Sequence, residues 1–460
     1  MFSHGDMTSS TRETQSADVR PVGRRWLMLA IFCLVTLTNG CQWVQFSIID
    51  NSVAAYYGTS RDVVDWTSLL FMVTYIPGML PAAWFLDKTG LRWTVLVAAA
   101  GNCLAAWLKV VAVRPDLLAV LFAGQGVAAL VNCFVLSVPP RLAAVWFGER
   151  QVSTATAIGV IGNQLGNALG FAVPSVLVRA PPPAAGSSLE GIGDDMALMS
   201  YIVAGVTTAA LLLAVLAFQA APPLPPSQAM AAALESERAG DGHTESLSQY
   251  CQSLKSLVGS PGFPQLLVAY GIINGVSSAA GTLLNGLITS VFVDSEMDAG
   301  LIGLTMVVAG LVGSVLFGLL LDATAKFKEL TVGVYALSLL AVVVFTGSLY
   351  SGKIWTVYVA GAFAGSTLAG YIPVGFEFAA ELTYPAPEGT SSGLLSAAGM
   401  LMAVVFTLVC ERLLPLARGW LWTCCCMMGV LALGAAFTLT IPNNLRRQQA
   451  QRTAQLTARE

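Results

Sequence analysis

Runs of apolar residues long enough to cross a bilayer recur twelve times along this chain, separated by short polar breaks. A hydrocarbon core about 30 Å thick needs about 20 mostly apolar residues per helix. Six runs come first, at Trp26–Ile49, Val63–Leu86, Trp93–Val113, Leu117–Val138, Val152–Val178 and Met196–Gln219. Six more follow at Phe263–Val291, Ala299–Leu321, Leu330–Tyr350, Trp355–Glu381, Thr390–Cys410 and Gly419–Ile441. One longer polar stretch, from Pro222 to Pro264, parts the two sets. The pattern predicts an all-α polytopic membrane protein of twelve transmembrane helices in two six-helix bundles. Its divisions are a tail (1–24), a first bundle (25–220), a linker (221–262), a second bundle (263–442) and a second tail (443–460).

Composition agrees with that pattern. Hydrophobic residues make up 55% of the chain and charged residues 11%, against roughly 25% charged in an ordinary soluble domain. So few charges cannot solvate a globule of this size, whereas lipid can cover an apolar exterior. The first run exceeds the h-region of about 7–15 residues in a cleaved signal and is expected to stay as an anchor. Most of the 23 Lys and Arg, Lys88, Arg92, Arg141, Lys326 and Arg446 among them, share one side if the amino terminus is cytoplasmic. The positive-inside rule then puts both termini in the cytoplasm, and the plasma membrane is the expected location, with an organelle membrane the alternative. A net charge of −3 offers no basic surface to nucleic acid.

Candidate chemistry is sparse. The two histidines, His4 and His243, lie outside the runs, so a histidine-ligated metal or haem in the membrane is not expected. Neither a nucleotide loop nor a Ser/His pairing is present, and the chain does not read as an enzyme or as a cofactor binder. The nine cysteines lie in the runs and the linker and read as packing residues.

A repeat links the two halves. The second run ends Leu86-Asp87-Lys88-Thr89-Gly90-Leu91-Arg92, and the eighth ends Leu321-Asp322 followed by Lys326 and Lys328. Trp146-Phe147 with Thr154-Ala155 is echoed at nearly the same offset by Tyr384-Pro385 with Ser392-Gly393. Gly90 permits a tight turn. Asp87 can accept bonds from a helix start and pair with a cation such as Arg92. Repeated at Asp322, this reads as a cytoplasmic clasp, with Glu377 a gate partner for a cytoplasmic cation. The spans hold few other carboxylates, which favours facilitated movement over obligatory proton coupling.

The densest polar and aromatic stretch is Asn39-Gly40-Cys41-Gln42-Trp43-Val44-Gln45, with Asn39 and Trp43 on one helix face. An indole facing a water-filled path can hold a cation, contributing about 0.5–2 kcal/mol per ring. The depth of Trp43 also suits an interfacial belt residue. In the fifth run, Asn163 and Gln164 sit among glycines and either line a path or bond a neighbouring helix. Asn274 and Asn285 read the same way.

These stretches resemble the feline leukaemia virus subgroup C receptor family of the major facilitator superfamily, described as choline/ethanolamine transporters and as haem exporters. Gln42-Trp43-Val44-Gln45-Phe46-Ser47-Ile48-Ile49, Trp84-Phe85-Leu86-Asp87, Gly162-Asn163-Gln164-Leu165-Gly166, Thr282-Leu283-Leu284-Asn285 and Gly375-Phe376-Glu377-Phe378 carry the likeness. It implies alternating access by rocking of two bundles, with a quaternary ammonium held by Trp43, Asn39 nearby and Gln164 on the fifth span. Where the family has a seventh-span aromatic, this chain has Ser277-Ser278, and Met400 stands for an eleventh-span glutamine. The expected substrate is a small organic cation. A porphyrin bound through Met400 or Met402, or a non-transporting receptor, is the alternative.

Overall fold

The computed structural model describes residues 23–148, 151–178, 189–223, 257–324, 326–384 and 388–442, and every regular element among them is helical. The first half holds α1 (Arg25–Val44), a 3-10 turn (Ser47–Ile49), α2 (Asp50–Tyr57), α3 (Arg61–Val111), α4 (Leu118–Trp146), α5 (Val152–Leu177) and α6 (Leu189–Ala217). The second holds α7 (Phe263–Thr282), α8 (Leu284–Thr289), α9 (Glu296–Thr324), α10 (Phe327–Tyr350), α11 (Ile354–Thr383), α12 (Glu388–Leu413) and α13 (Gly419–Thr440). Residues 1–22 of the first tail, 224–256 of the linker and the whole second tail lie outside the described residues.

Nine of these helices are long and apolar enough to cross a membrane. α3 accounts for two crossings, because its 51 residues rising about 1.5 Å each far exceed a core of about 30 Å. It reverses at Gly90, with φ 81° and ψ 174°, a backbone region essentially reserved for glycine. Gly78 and Gly101, on either side of that turn, lie against Cys133 and Val131 of α4. The two arms of α3 therefore stand side by side at one level. α5 and α7 complete the twelve crossings. Both carry glycine and amide residues because they face protein more than lipid. Gly162, Gly166 and Gly170 of α5 press onto the α1 backbone from Cys33 to Cys41, a close approach that small residues allow in lipid.

Exposed apolar side chains such as Leu216, Leu319 and Val359 face outward, as a lipid-covered surface requires. The buried cores are arranged unevenly. One, around Phe32, Val95, Val138 and Trp146, belongs wholly to the first half. Another, around Phe263, Tyr270, Leu321 and Phe378, belongs wholly to the second. A third joins Val44, Ile49 and Phe171 to Leu284, Ile288 and Ile302, and so spans both halves. It lies at the end carrying α2 and α8. The bundles are shut together at that end and have separate cores toward Gly90.

Candidate functional site

The repeat meets itself at the shut end. Asn285 Nδ2 donates to Asp50 Oδ1 at 2.5 Å, and the two residues are 235 positions apart, the spacing that also relates Asp87 to Asp322. Equivalent residues that touch must lie on the axis relating the halves. Both spans break there, α1 stopping at Val44 and α7 at Thr282. Beside the axis, Asn51 Nδ2 donates to Glu296 Oε1 at 2.6 Å and Ser52 Oγ to Glu296 Oε2 at 3.3 Å. Gly300 and Gly303 of α9 admit Ser175 and Phe171 of α5. These contacts form a gate between the bundles.

Trp43 lies one layer in from this gate. It occupies the last turn of α1, where backbone carbonyls lack helical donors. Gln125 of α4 supplies them: its Nε2 donates to Gln42 O at 2.8 Å, to Thr67 O at 3.1 Å and to Trp43 O at 3.4 Å. Ser68 Oγ donates to Trp43 O at 3.1 Å. The half-buried indole packs against Phe71 and Ala128 within its own half. It also packs against the cluster of Leu69, Met72 and, across the interface, Ala403 of α12, on which Met400 packs as well. Its Nε1 is buried without a hydrogen-bond partner. An indole that touches both halves is not a lipid-facing belt residue.

The other expected positions divide into three groups. Met400 shares the Trp43 cluster and links it to a second one holding Tyr75 and Cys133. Gln164, half-buried, accepts from Asn167 Nδ2 at 2.7 Å, and Asn163 Nδ2 reaches Thr36 O at 3.3 Å, so both amides bond within the first half. Ser278 is half-buried on α7. Asn39 and Gln42 point into the first bundle. Asn39 Nδ2 donates to Asn102 Oδ1 at 2.9 Å and to Ala128 O at 3.1 Å. Gln42 Nε2 donates to Thr38 O at 3.2 Å, and its Oε1 accepts from Lys109 Nζ at 2.9 Å. Far from these, Asp87 and Arg92 are exposed near the Gly90 turn, and Glu377 is exposed on α11. Asp322 falls near the end of α9, and its side chain lies outside the described part.

Several residues of this region gave little sequence signal. Lys109, 1% exposed, stands 5.6 Å from the Phe46 ring centroid while it holds Gln42. Gln125 is one of two amides, with Asn132, in an apolar run, which was the available clue. Asp65 and Glu411 sit near span edges yet are buried.

Twelve crossings in two repeat-related bundles with an interfacial site define a class of membrane carrier. The sequence profile of the Major Facilitator Superfamily matches residues 27–407, and the chain belongs to that superfamily. Within it the chain belongs to the family of the choline/ethanolamine transporters FLVCR1 and FLVCR2. It is 41% identical to the choline/ethanolamine transporter flvcr2b of Danio rerio over 438 residues, covering 95% of this chain and 88% of that protein. It is 39% identical to FLVCR2 of Homo sapiens, covering 93% and 79%. Among solved structures, a bacterial homologue of the lysosomal transporter Spinster matches with a TM-score of 0.70 at 13% identity, covering 92% of this chain and 98% of that one. The fucose:proton symporter FucP matches with a TM-score of 0.57 at 13% identity, covering 90% and 99%.

Proposed function

We propose that this transporter moves a small organic cation of the choline or ethanolamine type by facilitated, alternating-access exchange between two facing states. The observation that carries this reading is Trp43: an aromatic face placed where both bundles meet, fixed from behind by Gln125 and Ser68. A ring so held presents its quadrupole to a cation at low entropic cost, contributing about 0.5–2 kcal/mol. Its partnerless N–H suits a substrate that also carries an oxygen acceptor, as choline and ethanolamine both do. With Ser278 where a second ring would stand, Phe71, in the cluster on which Trp43 packs, is the aromatic complement within the first half. The relatives named as choline/ethanolamine transporters support the same substrate class.

With both termini cytoplasmic, the shut α2 end is extracellular and the structure is the inward-facing state. Asp50–Asn285 and Asn51–Glu296 then form the outer gate. The exposed Asp87 and Arg92, with Asp322 and Glu377, are the residues that would close the inner side. The test is uptake of labelled choline and ethanolamine into proteoliposomes holding the full chain. Trp43→Ala is expected to raise KM about two- to thirty-fold, the range equivalent to one cation–π contact, and Trp43→Phe to lie between. Unchanged uptake in Trp43→Ala would refute the site. Uptake of a porphyrin in preference to both amines would refute the substrate class.

A further inference from the structure

Where α3 and α12 cross the interface they run antiparallel in a regular register. Met79 lies against Gly393, and two turns along each helix Met72 and Met400 share one cluster. Two further turns place Asp65 level with Thr407, and Glu411 one turn beyond on the same face of α12. Leu69 and Ala403, packed together, fix those faces. Asp65 is 4% exposed, Glu411 6% and Thr407 0%. Asp65 Oδ1, Glu411 Oε1 and Thr407 Oγ1 are all buried without a hydrogen-bond partner. Acceptors left bare in this way cost about 1–3 kcal/mol each, and more when charged.

The repeat makes the oddity sharper. The position equivalent to Asp65, 235 residues on, is Gly300, which simply makes room for Ser175 of α5. One side of the gate is therefore sealed by glycine against a small side chain. The other places two carboxyl groups and a hydroxyl on facing helices, each with a buried oxygen that has no hydrogen-bond partner. The charges within electrostatic reach of Asp65 are Glu411, Asp50, Asp62 and Arg61, and those of Glu411 include Asp62 and Arg412. Arg61 and Arg412 are both exposed.

We propose that Asp65, Thr407 and Glu411 form a binding site for a monovalent inorganic cation, sodium-like in chemistry, that bridges the two bundles when the α2 end is shut. Hard oxygen ligands suit such an ion. A divalent ion is disfavoured because the site offers only two carboxylates. Exposed Arg61 and Arg412 already supply part of the positive potential. The site exists only while the halves meet and lies beside the exposed Arg61, Asp62 and Arg412 of the α2 end, so the ion exchanges with that side and returns to it when the gate opens. The ion thus biases the conformational equilibrium without being carried, by binding one state better than the other. This needs the two-bundle gate and not the choice of substrate.

The test measures thermal unfolding of the purified full chain in nanodiscs as sodium replaces N-methyl-D-glucamine at constant ionic strength and pH. A saturable rise in Tm is expected, absent in Asp65→Asn and in Glu411→Gln, while Gly205→Ala, which has open space around it, keeps it. Proteoliposome uptake is expected to proceed without radiosodium accumulating. An equal rise with N-methyl-D-glucamine, or an unchanged sodium response in both carboxamide variants, would overturn the site. So would a response to pH with none to sodium, which would assign a proton to the pair. Stoichiometric radiosodium accumulation would overturn the claim that the ion is not carried. Loss of choline uptake with the sodium response intact would touch only the substrate assignment.

Discussion

In the first span Asn39-Gly40 precedes Trp43 and, past a break, Asp50. In the seventh, at the same spacing, Asn274-Gly275 precedes Ser278 and Asn285. The skeletons match: both helices stop short of the gate, and their broken ends meet through the Asn285–Asp50 hydrogen bond. The side chains at the equivalent positions do not match, an indole in one half and a hydroxyl in the other. Duplication explains a hinge that rocks about an axis, since closure needs equivalent surfaces. Recognition of one asymmetric molecule needs no symmetry, and the site proposed for it is concentrated in the first half. The way each pair is packed differs too. α1 lies on the glycines of α5, whereas α7 supplies its own Gly271 and Gly275 against Ala398 and Met402 of α12.

The comparison can be broken most severely at those glycines. Gly166→Leu drives a side chain into the Leu37 carbonyl and Gly275→Leu into the Met402–Ala403 backbone. Both variants are expected to lose folded, monodisperse protein on size exclusion, whereas Gly205→Leu, with open space around it, keeps wild-type yield. Next in size is the bond on the axis. Asn285→Ala leaves a buried Asp50 carboxylate without its donor, an effect of about 1.5–3 kcal/mol. The shut population at the α2 end is therefore expected to fall about ten-fold or more, read from accessibility of a cysteine placed at Ser52. The smallest effect sharpens the difference between the halves. Ser278→Tyr places a ring at the repeat position equivalent to Trp43 and is expected to lower KM for choline about two- to ten-fold, with ethanolamine, which lacks the methyl groups, gaining less.

How far the sequence alone reached follows from which forces act. The number of crossings and the halving of the chain were legible because lipid demands long apolar helices, and the turn at Gly90 was legible because only glycine fits it. Trp43 stood out because an indole among amides is rare in an apolar run. Asn39 and Gln42 share that stretch, yet they turn toward Asn102 and Lys109, since a helix distributes neighbouring side chains to different faces and only the packing of α3 and α4 decides which face is interior. Gln164 and Asn163 posed the same ambiguity, and both bond within the first half. Asp65 and Glu411 looked like ordinary charges at span ends. Their burial depends on α3 meeting α12 across the two halves, a contact between segments far apart in sequence that no local pattern encodes.

The most direct test of the two-state account is a pair of spin-label distances in a chain whose cysteines are replaced. One pair, Ala55 and Val293, brackets the shut end, and the other, Lys88 and Thr324, brackets the Gly90 end; all four positions are exposed. As substrate or Asn285→Ala changes the populations, one distance is expected to lengthen whenever the other shortens. Two distances that stay fixed, or that widen together, would contradict a carrier that rocks about the Asp50–Asn285 axis.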